Sequence, residues 1–212
     1  MSQARRIVLL GATGPTGRQI MTQALEQGHH VTALVRDPTK LAARSERLQV
    51  LTGSVPDDPH AVAQAVRGQD AVISALGVGR SFRARDLIAR SAPIIVSAME
   101  RHGVRRLIFV SAIGVGHRYP LPLPMQIFTR TLLRGIYADK LAGENAISAS
   151  RLDWTLVHPA MLSDGPQTGR YRVGERLPFQ GMPKIARADV AHFVLAQLAD
   201  STCLRKTVVI SY

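Results

Sequence analysis

Residues 6–17 read RIVLLGATGPTG, and this stretch decides how the rest of the chain is interpreted. Its four apolar residues, Ile7–Leu10, form the short run that is typical of a fully buried strand. Gly11, Gly14 and Gly17 follow at three-residue spacing, and a helical pattern begins behind them. In such a turn the first glycine permits the bend, the second lets a pyrophosphate approach, and the third permits close helix packing. Since a helix N-terminus offers unpaired N–H groups to phosphate oxygens, the stretch predicts a phosphate-binding loop.

The composition is that of a globular protein, with 212 residues, 46% hydrophobic and 20% charged, and we expect one domain over residues 1–212. The formal net charge of +12 is spread along the chain without a dense run, which favours a solvated basic surface over a nucleic-acid interface. The single cysteine, Cys203, has no disulfide partner, and the histidines lack ligand-like spacing, so we predict no metal site. Because the sequence contains no apolar run of about 18 residues, we expect no membrane span and a cytoplasmic location.

Strand-like and helix-like segments alternate from one end of the chain to the other. This order predicts an α/β fold, a Rossmann-like doubly wound parallel sheet with helices on both faces in three α/β/α layers. In such sheets the ligand lies beyond the carboxyl ends of the strands. Two excursions, near residues 117–135 and 163–184, interrupt the rhythm, and we expect them on the acceptor side of the site. The first contains the proline-rich segment Arg118–Pro124, and the second is expected to hold a small hairpin around Tyr171–Val173.

The residue after the second strand predicts which dinucleotide binds. An acid usually meets the ribose hydroxyl of NAD at this point, but this chain has Arg36, and Asp37 is better placed as a helix cap. A guanidinium can hold a phosphate through its fork of donors, and Lys40 lies within reach, which argues for NADP(H) unless Arg36 is only a surface residue. The residues expected to contact the cofactor are Gly11, Thr13, Gly14, Pro15, Thr16, Gly17, Arg36, Lys40, Ser54, Val55, Ala75, Leu76, Gly77, Ser111, Ala112, Pro159, Ala160 and Met161.

The chemistry depends on the residues behind the fifth and sixth strands. Ser111 stands where a nicotinamide is expected, so its hydroxyl would bond the carboxamide or a substrate oxygen, or would only close the strand end. A carbonyl reductase of this fold pairs a Tyr acid with a Lys four residues later, whereas Tyr137 precedes Lys140 by three. We therefore expect Tyr137 at or before a helix start, Lys140 paired with Glu144 on an exposed helix face, and His158 as a hydrogen-bonded strand-end residue.

The sequence resembles the atypical short-chain dehydrogenase/reductases that bind NAD(P)H, and within them the biliverdin reductase B / flavin reductase branch. The resemblance rests on GATGPTG at 11–17, VRD at 35–37, GQDAVISALG at 68–77, Ser111, SRLDWTLVHPAMLSDGPQTGRY at 150–171, and ADVAHFVLAQL at 188–198. It implies NADPH-dependent reduction of flavins and similar planar acceptors, with the cofactor held by the glycine loop, Arg36 and the Ser111 region. Ser54 stands where the family has Asp in a GDV motif, and Met161 where the branch has His.

These observations lead to a principal hypothesis and two alternatives. The principal one is an NADPH-dependent oxidoreductase that delivers hydride to a flavin or another planar, biliverdin- or quinone-like acceptor, with Ser111 positioning it between apolar walls that include Met125, Phe128 and Met161. A non-catalytic NADP(H)-binding regulator would account equally well for the missing Tyr–Lys dyad. A nucleic-acid-binding protein would account for the charge, but the sequence lacks a clustered basic patch.

Overall fold

The computed structural model describes residues 3–41, 43–79, 86–117, 126–127, 129, 131–179 and 181–212. Its strands are β1 (Arg6–Leu10), β2 (His30–Val35), β3 (Leu48–Thr52), β4 (Ala71–Ser74), β5 (Arg106–Val110), β6 (Asp153–Pro159), β7 (Met161–Ser163), β8 (Arg172–Gly174), β9 (Lys184–Ala186) and β10 (Lys206–Ser211). Its helices are α1 (Pro15–Glu26), α2 (Pro59–Val66), α3 (Leu87–His102), α4 (Arg134–Ser148) and α5 (Arg187–Ala196).

The centre of the molecule is a sheet whose strand order is β3-β2-β1-β4-β5-β6-β10-β8. Every neighbouring pair from β3 to β10 is parallel, and only β8 runs antiparallel, against β10. The chain order reverses between β1 and β4, which is the switch point at which such sheets bind ligands. The predicted Rossmann-like doubly wound fold is therefore confirmed.

The core lies on both faces of this sheet, and β1 contributes to both layers. Ile7 and Leu9 pack with α1 and α5, whereas Val8 and Leu10 pack with α2 and α3. This division follows from the pleat of a strand, because successive side chains point to opposite faces. All four residues are fully buried, so the apolar run read from the sequence is the centre of the three-layer core.

Helix α4 is fixed to the start of α3 by a buried carboxylate. Asp139 of α4 accepts hydrogen bonds from the backbone N–H groups of Ile88 (3.1 Å) and Ala89 (2.9 Å). The helix thus receives from a distant element the acceptor that its own N-cap, Asp86, does not supply. Gly143 allows the two helices to approach, because a Cβ there would lie 2.4 Å from the Ile88 side chain. These contacts set the position of α4 over the exits of β5 and β6.

The structure describes most of the second predicted excursion, but not the proline-rich segment of the first. The hairpin expected around Tyr171–Val173 is wrong, because Arg172–Gly174 instead forms β8 and pairs with β10 at the sheet edge. A second, two-stranded sheet of β7 and β9 lies nearby. In the first excursion, the segment Arg118–Pro124 lies outside the described residues. Within the described ranges, no helix is long and apolar enough to cross a membrane.

Candidate active site

Two of the three glycines in the β1–α1 loop are required for close approaches of the backbone. Gly11 has φ +83°, and a Cβ on it would lie 2.5 Å from the carbonyl oxygen of Ala75 behind β4. A Cβ on Gly17 would lie 2.1 Å from the carbonyl oxygen of Gly11, so the helix closes directly on the loop. Gly14 is less confined, since its nearest described atom would be 3.4 Å away. Gly11 and Gly17 therefore close the loop, and Gly14 leaves its face free for a ligand.

The first turn of α1 suits an anion. Its N-cap is Gly14, its first residue is Pro15, and no side chain among the described residues caps it. The turn also contains no acidic residue, so nothing there opposes a phosphate charge. Thr13 and Thr16 are half-buried beside it. The loop and the helix end thus fit a dinucleotide pyrophosphate, as the sequence predicted.

The exit of β2 carries an exposed cation beside a capped turn. Asp37 accepts from the backbone N–H of Thr39 (3.1 Å) and from its hydroxyl (2.6 Å), so the predicted capping role is confirmed. The pKa of Asp37 is lowered, first by the Thr39 hydroxyl and then by Lys40, whose Nζ lies 3.3 Å away. Lys40 is therefore already paired, whereas the Arg36 side chain is exposed. Arg36 is thus better placed than Lys40 to bind a ligand phosphate.

Arg18 is a second cation at this place, and the sequence reasoning missed it. Its Nε donates to the carbonyl of Thr13 (3.0 Å), and its Nη2 donates to the carbonyl of Lys40 (3.3 Å). It therefore joins the glycine loop to the exit of β2. The available signal was its position directly after Gly17, which places it in the first turn of α1.

The exits of β3 and β4 complete the edge of the nucleotide region. Ser54 donates to Asp57 (2.6 Å), which is also paired with Arg90 (2.8 Å). The side chain of Val55 is buried in the core with α2 and α3, so only its backbone can face a ligand. The remaining predicted residues here lie at the surface of the loop after β4: Ala75 and Leu76 are half-buried, and Gly77 is exposed with no described atom near its open side.

A cavity of about 370 Å³ opens beyond the carboxyl ends of β5 and β6. Its lining residues are Ser111, Ala112, Ile113, Thr129, Leu133, Tyr137, Pro159, Ala160, Met161, Leu162 and Met182. Five predicted site residues, at 111, 112 and 159–161, are thus brought together by the fold. The wall is almost entirely apolar, and Met161, Leu162 and Met182 are exposed at its surface. Met125 and Phe128, which were also predicted as walls, lie outside the described residues.

Behind the cavity, a buried carboxylate connects β5 with β6. Glu144 is fully buried; its Oε1 accepts from the hydroxyl of Ser111 and lies 2.9 Å from Nε2 of His158. The predicted exposed face with a Lys140–Glu144 pair is therefore wrong, because Glu144 shares the buried face of α4 with Ile147. His158 lies near the end of β6 and is hydrogen-bonded, as predicted. The pKa of Lys140 is lowered by burial, with Glu144 and Asp139 partly opposing that shift.

Tyr137 lies within the helix rather than before it. Helix α4 begins at Arg134, so Tyr137 is one turn inside, and its hydroxyl donates to the carbonyl of Ile113 (2.9 Å). Burial raises the pKa of Tyr137 to about 12. The hydroxyl therefore stays protonated at neutral pH and is held at the cavity wall by a backbone acceptor.

The fold agrees with that of similar proteins. Residues 11–201 match a family model described as NAD(P)H-binding. The chain belongs to that NAD(P)H-binding family. The resemblance that was read from the glycine loop and the strand exits is thereby confirmed. The match covers the nucleotide region and the cavity in one continuous span.

Individual relatives differ in name and in length. A photosystem II assembly factor, Ycf39 from Synechocystis, is 27% identical over 95% of this chain, but the chain covers only 61% of that protein. A short-chain dehydrogenase/reductase from Veillonella parvula, solved in complex with NADP, has the same fold with a TM-score of 0.82 at 22% identity, covering 99% and 95% of the two chains. ChuY, an anaerobilin reductase from Escherichia coli O157:H7, has a TM-score of 0.78 at 25% identity, with 97% and 96% covered.

Proposed function

We propose that the chain is an NADPH-dependent reductase that delivers hydride to a flavin or a similar planar acceptor. The observation that carries this proposal is the apolar cavity beyond β5 and β6, which lies on the same sheet edge as the glycine loop. A dinucleotide seated at the switch point would extend from that loop towards the cavity. The acceptor would then lie between the nicotinamide and the apolar wall.

The preference for NADPH rests on the cations around the exit of β2. Arg36 is exposed, and Arg18 links the glycine loop to the same exit, whereas the charge of Lys40 is offset by Asp37. A guanidinium binds a phosphate through two parallel hydrogen bonds, which an adenosine ribose without a 2′-phosphate cannot use. The Veillonella neighbour holds NADP in the same fold, which supports the choice.

The protein residues bind and orient rather than exchange protons. When bound, the cofactor supplies the hydride, while the glycine loop and α1 hold its phosphates. At the cavity wall, Ser111 forms a hydrogen bond with a polar group of the nicotinamide or the acceptor. Ala160 and Met161 exclude water from the reacting face. Tyr137 donates to a backbone carbonyl, so the site shows no preformed Tyr–Lys acid pair. This arrangement suits an acceptor ring that takes hydride directly.

The acceptor class has support from one neighbour. ChuY is a reductase of anaerobilin, a tetrapyrrole, and the present chain shares its fold at 25% identity. A cavity of about 370 Å³ can hold a tricyclic ring or part of a longer conjugated chain. We therefore propose flavins and open-chain tetrapyrroles as the first acceptors to assay.

The test is NADPH oxidation in the presence of riboflavin, FMN or biliverdin, repeated with NADH. We expect turnover with NADPH and at least a roughly tenfold preference for it. The Arg36→Ala variant should lose that preference. Arg67→Ala, which removes an exposed arginine at the end of α2 far from the strand exits, should keep it. Tight binding of NADPH without turnover of any acceptor would instead support a non-catalytic NADP(H)-binding regulator.

A further inference from the structure

The hydroxyl groups in the described part of the cavity wall all direct their hydrogens into the protein. Among the described lining residues, three carry hydroxyls. Ser111 donates to Oε1 of Glu144, Tyr137 donates to the carbonyl of Ile113 (2.9 Å), and Thr129 donates to the carbonyl of Gln126 (3.1 Å). The partners are a carboxylate and two carbonyl oxygens. Because these atoms only accept, the direction of each hydrogen bond is fixed by chemistry.

Part of the backbone around the cavity behaves in the same way. Four N–H groups of lining residues donate to carbonyls elsewhere in the fold: Ser111 to Val157, Ile113 to Pro159, Ala160 to Ile210, and Met161 to Pro183. Their distances lie between 2.8 and 3.1 Å, so these donors are already satisfied. The wall therefore combines apolar surface with hydroxyl groups that have no hydrogen left for a ligand.

A hydroxyl has one hydrogen and two lone pairs. Once Ser111 has given its hydrogen to Glu144 and Tyr137 has given its hydrogen to Ile113, each can offer only an acceptor to a ligand. A ligand N–H group would meet a partner at these oxygens. A ligand carbonyl directed at these two oxygens would face lone pairs and would lose its water without gaining a donor from them.

We infer that this cavity selects planar acceptors that carry ring N–H donors over comparable rings that present only carbonyl oxygens. The inference rests on the proposed function and narrows its acceptor class. An isoalloxazine with N3–H, or a lactam or pyrrole N–H, fits the wall. A quinone carries no N–H group for these two oxygens, although it is planar and able to take hydride. A site built for a hydrogen bond discriminates strongly against an analogue that lacks the group.

The experiment compares two ligands that differ at one ring atom. Lumiflavin carries N3–H, and 3-methyllumiflavin carries a methyl group there. Dissociation constants are measured by flavin fluorescence with NADP⁺ present, so that no turnover is needed. We expect lumiflavin to bind roughly tenfold more tightly, the size of one unsatisfied polar group. Menadione, tested as a competitor, should bind more weakly than lumiflavin.

Two variants separate hydrogen bonding from crowding by the methyl group. In Ser111→Ala or Tyr137→Phe, the accepting oxygen is removed, so the ratio of the two dissociation constants should fall towards one in at least one variant. Steric exclusion would leave that ratio unchanged in both and would overturn the inference. Thr131→Val is the matched control, because the Thr131 hydroxyl also donates to a carbonyl, that of Ile127 (2.8 Å), but it is exposed and lies outside the cavity lining.

The remaining outcomes are distinguishable from failure of the proposed function. Equal affinity for both flavins, tighter binding of menadione, or binding of neither flavin overturns the inference. A separate titration with NADPH reports on the nucleotide region alone. If NADPH also fails to bind, the proposed function fails as well. If NADPH binds normally, only the inferred choice of acceptor is wrong.

Discussion

The two ends of the site are built in different ways. The nucleotide half consists of the glycine loop and the exits of β2, β3 and β4 (residues 11–17, 36–40, 53–55 and 75–77). It is made largely of backbone, and Gly11 and Gly17 permit approaches that any side chain would block. The cavity half consists of the residues lining the cavity. It is made of side chains, and its Ser111 hydroxyl depends on Glu144, which itself lies outside the lining.

Because the two halves are built differently, different kinds of substitution should damage them. A backbone cradle fails when a side chain is added, because the space is already filled. A side-chain wall fails when a buried partner is removed, because the polar groups that remain lose their acceptors. Substitutions in the two halves should therefore separate cofactor binding from stability of the acceptor site.

The largest effect is expected for Gly17→Ala in the nucleotide half. Its Cβ would lie 2.1 Å from the Gly11 carbonyl oxygen, so the loop must open and NADPH binding should fall on the order of 100-fold. Gly14→Ala should fold normally, since its nearest contact is 3.4 Å, yet still weaken binding by blocking phosphate approach. Gly135→Ala, at an uncrowded position in α4, is the control. Fluorescence titration with NADPH measures all three, and unchanged affinity in Gly17→Ala would contradict the close-packing argument.

The next effect is expected in the cavity half for Glu144→Ala. The change leaves the Ser111 hydroxyl and the Nε2 of His158 without this acceptor inside the core. Removing one member of such a buried pair costs about 3 kcal/mol of unfolding free energy. Urea denaturation measures the loss, and Glu144→Gln should recover part of it by restoring an accepting oxygen. A loss below about 1 kcal/mol would show that Glu144 contributes little to this half.

A third prediction concerns Asp189, which holds the excursion beside the cavity half. It accepts from the N–H groups of Thr168 and Gly169 (both 2.8 Å) and from the hydroxyl of Tyr212 (2.7 Å). Burial tends to raise the pKa of Asp189, but these hydrogen bonds outweigh it and lower the pKa. Asp189→Asn should therefore cost about 2 kcal/mol at neutral pH.

The pH dependence provides the check on Asp189. A carboxyl whose pKa is lower in the folded protein than in the unfolded chain stabilises the fold when the pH is above its unfolded-state pKa. That stabilisation is lost as the pH falls through its folded-state pKa. Unfolding curves of parent and Asp189→Asn should therefore converge in acid. Asp164→Asn, at an exposed carboxylate paired with Arg187, serves as the control and should change stability little. If the difference in unfolding free energy between the parent and Asp189→Asn persists at a pH below the folded-state and unfolded-state pKa values of Asp189, the carboxylate is not its cause.

The smallest effect is expected for Arg18→Ala, which tests how much this guanidinium contributes to NADPH binding in the nucleotide half. The guanidinium joins two loop carbonyls at an exposed position, so NADPH affinity should fall by only about threefold. Because the interaction is electrostatic and exposed, the difference should shrink at high salt. Titration at low and high ionic strength measures this, with Arg67→Ala as a charge-matched control. A salt-independent loss would point instead to a change in loop geometry.

The nucleotide half was largely predictable because its signals are local in the chain. The strand Ile7–Leu10, the glycine spacing and Asp37 before Pro38 each report on residues within a few positions. The same reading missed Arg18, whose role depends on a contact with the carbonyl of Lys40, 22 residues away. It also predicted Lys40 as a second cation within reach of the phosphate, without its pairing with Asp37.

By itself, the sequence determined the alternation of strands and helices, the glycine loop and the order of the strand exits. These follow from periodicity and backbone sterics, which act over short distances along the chain. Only the tertiary structure decided that Glu144 faces Ser111, 33 positions earlier, and that Tyr137 donates to Ile113. Both contacts depend on how α4 docks against α3, through Asp139 and Gly143. The physical reason is that hydrogen-bond direction in a buried wall is set by which acceptors the packing brings within reach.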